Sequence, residues 1–175
     1  MQAGTLERAS RVRLMLFDVD GVLTDGTLYM GEGGELIKAF HVRDGHGLKM
    51  LRESGIEVAL LSSRRSAIVE RRAAELGVDR VLQGASDKLA VFRELIARDG
   101  MRADDCGFMG DDLVDLKVML GCGFCATVPE APAAVRERAH YVTEAQGGRG
   151  AAREVCELLL ASRGAADQAL ARYLP

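Results

Sequence analysis

Six short apolar runs, each followed by an amphipathic stretch, constrain what this chain can fold into more than any other feature. The runs lie at 13–17, 57–61, 80–82, 107–109, 124–127 and 141–142. The amphipathic stretches lie near 45–54, 65–76, 87–99, 112–120, 131–138 and 150–162. Strands that alternate with helices form parallel pairs, because a parallel pair needs a long crossover and the crossover helix covers the sheet. The expected fold is therefore α/β, a Rossmann-like parallel sheet flanked by helices. The 175 residues suit a single domain over 1–175 with a core of ordinary size.

One segment breaks the alternation. Residues 27–40 read Thr-Leu-Tyr-Met, then Gly-Glu-Gly-Gly, then Glu-Leu-Ile-Lys-Ala-Phe, which predicts a β-hairpin with a four-residue turn inserted after the first strand. An isolated hairpin is marginally stable and has open edges, so it must pack on the body or on another subunit. The ends, 1–10 and 163–175, carry weak patterns and are expected to be loosely held.

The first apolar run passes directly into Asp18-Val-Asp20-Gly21. Residues two apart in extended backbone project to the same side, so Asp18 and Asp20 can face one reacting centre. They do so at the carboxyl end of a strand, where open α/β sheets bind their ligands. One carboxylate can attack an electrophile while the other moves protons.

Three later places can complete such a site. Ser62, in Leu-Leu-Ser62-Ser63-Arg64, offers a hydroxyl at a strand-to-helix turn that suits an anionic oxygen, although taken alone it reads first as a cap for a helix beginning near 65. Lys88 opens a predicted helix, where a cation opposes the helix dipole and invites a functional reason, although a lone lysine reads by default as a solvated surface residue. Gly110-Asp111-Asp112, with Asp115 one turn on, can hold a hard cation such as Mg²⁺; a helix cap with first-turn acids is the other reading.

Composition narrows the setting. A net charge of −3 gives no general attraction to nucleic acid or to an anionic membrane. No transmembrane span or secretory leader is evident, and a cytoplasmic enzyme is expected. The four cysteines include Cys122-Gly-Phe-Cys125, but no second such pair accompanies it, and buried thiols are the expectation.

Taken together, the Asp-x-Asp-Gly run, the strand-end serine, the lysine and the Gly-Asp-Asp occur in the order that resembles the haloacid dehalogenase superfamily of phosphohydrolases, over essentially the whole chain. The resemblance implies that Asp18 is a nucleophile forming an aspartyl-phosphate and that Asp20 is the acid and base. It implies that Ser62 and Lys88 hold the phosphoryl group and that Asp18, Asp20 (through its carbonyl) and Asp111 bind Mg²⁺, with Asp112 a supporting carboxylate. Aspartate in the second position implies a phosphatase. Neither interval where this superfamily inserts a cap is long enough to hold one, so the enzyme is expected to be capless and either to act on a large phosphorylated partner or to close its site by oligomerising.

The hairpin and the segment after it, 25–47, together with Gly147-Gly148-Arg149-Gly150 and the following Ala-Ala-Arg-Glu, resemble the 3-deoxy-D-manno-octulosonate 8-phosphate phosphatases. That likeness implies a homotetramer that releases phosphate from an eight-carbon acid sugar in lipopolysaccharide precursor synthesis. It also implies substrate contacts from His41, Val42, Arg43, Asp44 and Gly45, with Lys49, Arg64, Arg72 and Arg149 as basic candidates for an anionic substrate. A phosphatase for a nine-carbon sugar acid 9-phosphate and a non-catalytic oligomerisation domain are the alternatives.

Overall fold

The computed structural model describes residues 4–174. In chain order its elements are α1 (Thr5–Arg11), β1 (Leu14–Phe17), β2 (Tyr29–Gly31), β3 (Gly34–Ile37), α2 (Val42–Glu53), β4 (Glu57–Ser62), α3 (Ala67–Leu76) and β5 (Arg80–Gln83). There follow α4 (Lys88–Arg98), β6 (Cys106–Met109), α5 (Leu116–Gly121), β7 (Phe124–Thr127), α6 (Ala133–Arg136), β8 (Tyr141–Val142), α7 (Ala151–Ser162) and α8 (Ala166–Ala171). Six strands form one sheet in the order β5-β4-β1-β6-β7-β8, and every neighbouring pair is parallel.

This is the α/β sheet that the alternating pattern demands. The central strands β1, β6 and β7 are buried along their whole length, which is why they read as unbroken apolar runs rather than alternating ones. Phe17, Phe92, Phe108 and Phe124 are wholly enclosed and anchor the core. All four cysteines are unpaired; burial is the main cause that pushes the Cys106 thiol up to about 11.

Chain direction turns over beside β1. The chain leaves β1 for β4 and β5 on one side, then returns to β6 on the other. Phe17 is in register with Leu60 on β4 and Met109 on β6, so the three carboxyl ends open onto a common crevice. Asp18 continues the strand, its N–H donating to the Met109 carbonyl at 2.8 Å.

Residues 27–40 do contain the hairpin, as a separate two-stranded sheet of β2 and β3. Its turn is shorter than the expected four residues. Gly31 and Gly34 pair across the strands, and only Glu32 and Gly33 lie between them. Leu36 and Ile37 on β3 are 63% and 59% exposed, with Leu28, Tyr29 and Met30 also open to solvent.

The two ends depart from the expectation of loosely held segments. Within 1–10, Thr5 and Ala9 of α1 are buried, and the Thr5 hydroxyl donates to the His140 carbonyl. Within 163–175, α8 buries Ala169, and Arg172 pairs with Glu53 at 2.6 Å. Both helices are short and bury small residues, which leaves little hydrophobic periodicity to read. Residues 1–3 and 175 lie outside the described residues.

Candidate active site

Each strand end in the crevice contributes a polar group. Asp18 and Asp20 follow β1, Ser62 ends β4, and Asp111 follows β6; Lys88 enters from the first turn of α4. They meet at a cavity of about 230 Å³ lined by Asp18, Asp20, Ser62, Arg64, Lys88 and Asp111, with Asp112 and Val114 at its rim. The order in sequence is thus converted by the topology into one cluster.

Lys88 is buried, against the habit of a lysine at a helix start. Its helix is secured instead by Asp87, whose carboxylate accepts from the N–H groups of Leu89 and Ala90 at 3.0 and 3.1 Å. The ammonium is left to point inward. It donates to Asp115 Oδ1 at 2.6 Å and sits 2.9 Å from Asp18 Oδ2. Burial works against its charge, but Asp18 and Asp115 outweigh that and hold its pKa above the ordinary lysine value.

Asp115 is the residue that the sequence mentioned only in passing. It is fully buried, and both of its oxygens are engaged. Oδ1 accepts from the Lys88 ammonium, while Oδ2 accepts from the N–H groups of Asp111 and Asp112 at 3.1 and 3.2 Å. The signal that could have found it is the four-residue spacing from Asp111, one helical turn inside the sheet edge.

Ligating oxygens of Asp18, Asp111 and Asp115 all lie within 4.8 Å of one another. Burial first, and then the charge of Asp115, push the Asp18 carboxyl up to about 7; burial, Asp115 and Asp112 do the same to Asp111, also to about 7. Enclosed carboxylates that oppose one another's ionisation, with only oxygen donors, fit a hard divalent cation such as Mg²⁺. Asp115 is the most heavily engaged of the three, accepting three hydrogen bonds, while Asp18 accepts from Val19 N–H on Oδ1 and faces Lys88 with Oδ2. Asp112, exposed at the cavity, has its carboxylate accept from Leu113 N–H at 2.7 Å as a helix cap, and it lies outside the three-carboxylate group.

Gly21 makes room for this arrangement. It has φ +87, and a Cβ built on it would stand 2.0 Å from Asp111 Oδ2. Gly147 is similar: its Cβ would lie 1.9 Å from the Gly21 carbonyl. The glycine run before α7 therefore packs directly on the loop after β1, with Gly148 N–H donating to the Val22 carbonyl at 2.8 Å.

The second half of the site is less expected. The Ser62 hydroxyl accepts from Arg64 N–H at 3.2 Å and caps no helix; α3 begins later, after Ser66. Asp20 is paired with Lys38, which arrives from the end of β3, and lies 3.7 Å from Arg64. Glu35 stands 2.9 Å from Lys38 and accepts from the Ser66 hydroxyl at 2.5 Å. Lys38 falls within the 25–47 segment that carries the family resemblance but was given no role there, and Glu35 carries no local signal, since Asp20 and Ser66 lie far away along the chain.

The remaining substrate candidates are not brought to this cavity within one chain. Val42, Arg43 and Lys49 are exposed on α2. Asp44 is buried, and its oxygens accept from Gly150 and Arg153 N–H at the start of α7, at 3.1 and 2.8 Å. Gly45 and His41 line a separate small recess with Phe40 and Arg72. Arg72 lies over the Phe40 ring and pairs with Glu75 at 3.2 Å. Arg149 borders an adjoining cavity of about 150 Å³ that shares Gly26 and Asp111 with the main one.

Two aspartates just after β1, a hydroxyl ending β4, a lysine on α4 and acids after β6, on a parallel sheet of this order, define a phosphatase of the haloacid dehalogenase superfamily. No family model matches the chain, but individual proteins do. The 3-deoxy-D-manno-octulosonate 8-phosphate phosphatase KdsC of Escherichia coli K12 is 44% identical over 169 residues, 97% of this chain and 90% of that protein. The KdsC of Yersinia pestis is 46% identical over 155 residues, 89% of this chain and 83% of its own. The crystal structure of the Moraxella catarrhalis 3-deoxy-D-manno-octulosonate 8-phosphate phosphatase, in complex with magnesium, phosphate and KDO, superposes with a TM-score of 0.95 at 39% identity, covering 99% of both chains. The chain belongs to the 3-deoxy-D-manno-octulosonate 8-phosphate phosphatase family.

Proposed function

We propose that this enzyme hydrolyses 3-deoxy-D-manno-octulosonate 8-phosphate to the free sugar acid and inorganic phosphate, in lipopolysaccharide precursor synthesis. The observation that carries the reading is the Lys88 bridge between Asp18 and Asp115 beside Asp111, in a chain of this family. It supplies a nucleophile, a fixed cation for phosphoryl oxygens and a divalent-metal site within one cavity.

Asp18 Oδ attacks phosphorus as the bond to the sugar oxygen breaks, forming an aspartyl-phosphate. Asp20 gives its proton to the departing sugar oxygen. It then takes a proton from the water that attacks phosphorus, which releases phosphate and restores the Asp18 carboxylate. Lys88 and Ser62 hold the equatorial oxygens, and Arg64 faces the anionic substrate from the cavity wall. Asp18, Asp111 and the Asp20 carbonyl would hold Mg²⁺, which when bound offsets the repulsion between a phosphate dianion and the carboxylates. Asp112 supports this group as the cap that fixes the turn carrying Asp111.

Assembly as a homotetramer belongs to the same reading. It is supported by the apolar side chains that the hairpin exposes at Leu28, Tyr29, Met30, Leu36 and Ile37, and sedimentation velocity measures it. In that assembly His41, Val42, Arg43, Lys49, Arg72 and Arg149 act on the substrate from the rims that subunits bring together, while buried Asp44 and Gly45 seat that loop against α7 and Arg72. A cytoplasmic location is supported by the four unpaired thiols.

The test is phosphate release with Mg²⁺ from the eight-carbon substrate beside a nine-carbon sugar acid 9-phosphate. Strong preference for the eight-carbon compound is expected; equal or reversed preference would move the enzyme to another acid sugar. Asp18→Asn is expected to lower kcat by several orders of magnitude with the fold intact, and retained turnover would overturn the mechanism.

A further inference from the structure

The two aspartates after β1 are held in very different ways. Asp18 is fixed locally and from the core, by Val19 N–H at 2.7 Å and by Lys88. Asp20 has no such support. Among the described residues its carboxylate contacts are Lys38 and Arg64, and Arg64 is 42% exposed at 3.7 Å. Lys38 is the rigid partner: its side chain is only 2% exposed, and it bonds Asp20 Oδ1 directly.

Lys38 is in turn held by Glu35, three residues earlier on β3, and Glu35 is tied to the body through the Ser66 hydroxyl before α3. The chain of contacts Ser66–Glu35–Lys38–Asp20 runs from the helical layer, through the hairpin, to the second aspartate. A long, flexible lysine gains from such a clamp, because the entropy of fixing it is met by two charge-assisted bonds in a place closed to water. With Oδ1 occupied, Oδ2 is left on the side of Arg64, which lines the cavity.

We propose that Lys38 is the positioning residue for Asp20, and that the hairpin sets the geometry of acid–base transfer through it. The proposal rests on the hydrolytic reading above. It does not give Lys38 any contact with substrate. A proton-transfer group must lie within hydrogen-bond reach of its target, and a displacement of about 1 Å costs on the order of 10²-fold. Removing Lys38 therefore slows the steps that need Asp20 and spares those that do not.

The experiment uses p-nitrophenyl phosphate, whose leaving group departs without a proton. Its first step needs Asp18 alone, while hydrolysis of the aspartyl-phosphate still needs Asp20 as base. In Lys38→Met, stopped-flow is expected to show a p-nitrophenolate burst near one equivalent per site, with a burst rate within about threefold of the wild-type single-turnover rate. Steady-state kcat is expected to fall roughly 10- to 100-fold, part of what a positioned acid–base group contributes, with KM little changed. On the sugar phosphate the same variant is expected to lose turnover with no burst. A steady-state rate within threefold of wild type overturns the proposal. So does a burst slowed in proportion to kcat, since that marks general damage to the site. Glu35→Gln, which keeps the shape of the side chain, carries the test should Lys38→Met not fold: an intact burst with kcat lowered about three- to tenfold is expected, and unchanged kcat overturns the proposal. Wild-type enzyme without Mg²⁺-dependent turnover on either compound would overturn the hydrolytic reading itself, and the inference with it.

Discussion

Lys88 donates to Asp115 across 2.6 Å in a part of the protein where neither side chain is more than 3% exposed. The pair makes the lysine a fixed charge beside Asp18 and engages one oxygen of Asp115. It also ties α4 to the turn after β6, so that Lys88 and the loop carrying Asp111 move as one body.

Asp115→Ala strands the buried Lys88 with one fewer counter-charge and removes the acceptor for two backbone N–H groups. Breaking a buried ion pair from one side costs about 3–5 kcal/mol. Urea unfolding is expected to show a loss of that order at neutral pH, with weaker Mg²⁺ binding by titration calorimetry. A change under about 1 kcal/mol, the scale of a surface pair, would contradict the assignment.

The raised carboxyls couple metal binding to pH. Asp18 and Asp111 titrate near 7 in the metal-free fold, against an ordinary value of 3.8. Between those values the folded protein holds more protons than the unfolded chain. The stability these groups contribute is therefore full below 3.8 and lost as pH rises through about 7. Mg²⁺ needs the ionised forms, so its binding expels protons and strengthens with pH until about 7. The rise in Tm on adding Mg²⁺ is expected to be larger at about pH 8 than at about pH 5.5; equal rises would refute the coupling.

Gly21→Ala places a methyl group where Asp111 Oδ2 now lies and strains a backbone with φ +87. Asp111 must swing away from Asp18. Mg²⁺ affinity is expected to fall about 10- to 100-fold, the scale for disturbing the support of a ligand. Calorimetry at fixed pH measures it, and unchanged affinity would show that Asp111 is not needed where it stands.

What the sequence disclosed was governed by locality. The sheet was legible because β1, β4, β6 and β7 are buried on both faces and end at polar turns, and β7 and β8 fall on the residues expected. Asp18, Asp20, Ser62, Lys88 and Asp111 were legible because each sits at a strand end or helix start, where backbone geometry alone sets its direction. Lys38 and Glu35 were given no role, since their meaning lies in partners 18 and 31 residues away, and Asp115, noted one turn after Asp111, showed only in the fold as the partner of Lys88 27 residues back. Asp112 read equally as ligand or cap, and its orientation toward Leu113 N–H decides for the cap. The helices α1 and α8 were hidden because they bury Thr5, Ala9 and Ala169 rather than large apolar side chains.

The hairpin strand β3 shows Leu36 and Ile37 to the outside and sends Glu35 and, just beyond its end, Lys38 to the inside. A small molecule that took a neighbouring subunit's place on this outer face and lifted the hairpin would withdraw Lys38 from Asp20 without entering the cavity that holds Asp18. Such an inhibitor needs no phosphate and no negative charge, the two features that keep substrate mimics of sugar phosphates from crossing membranes.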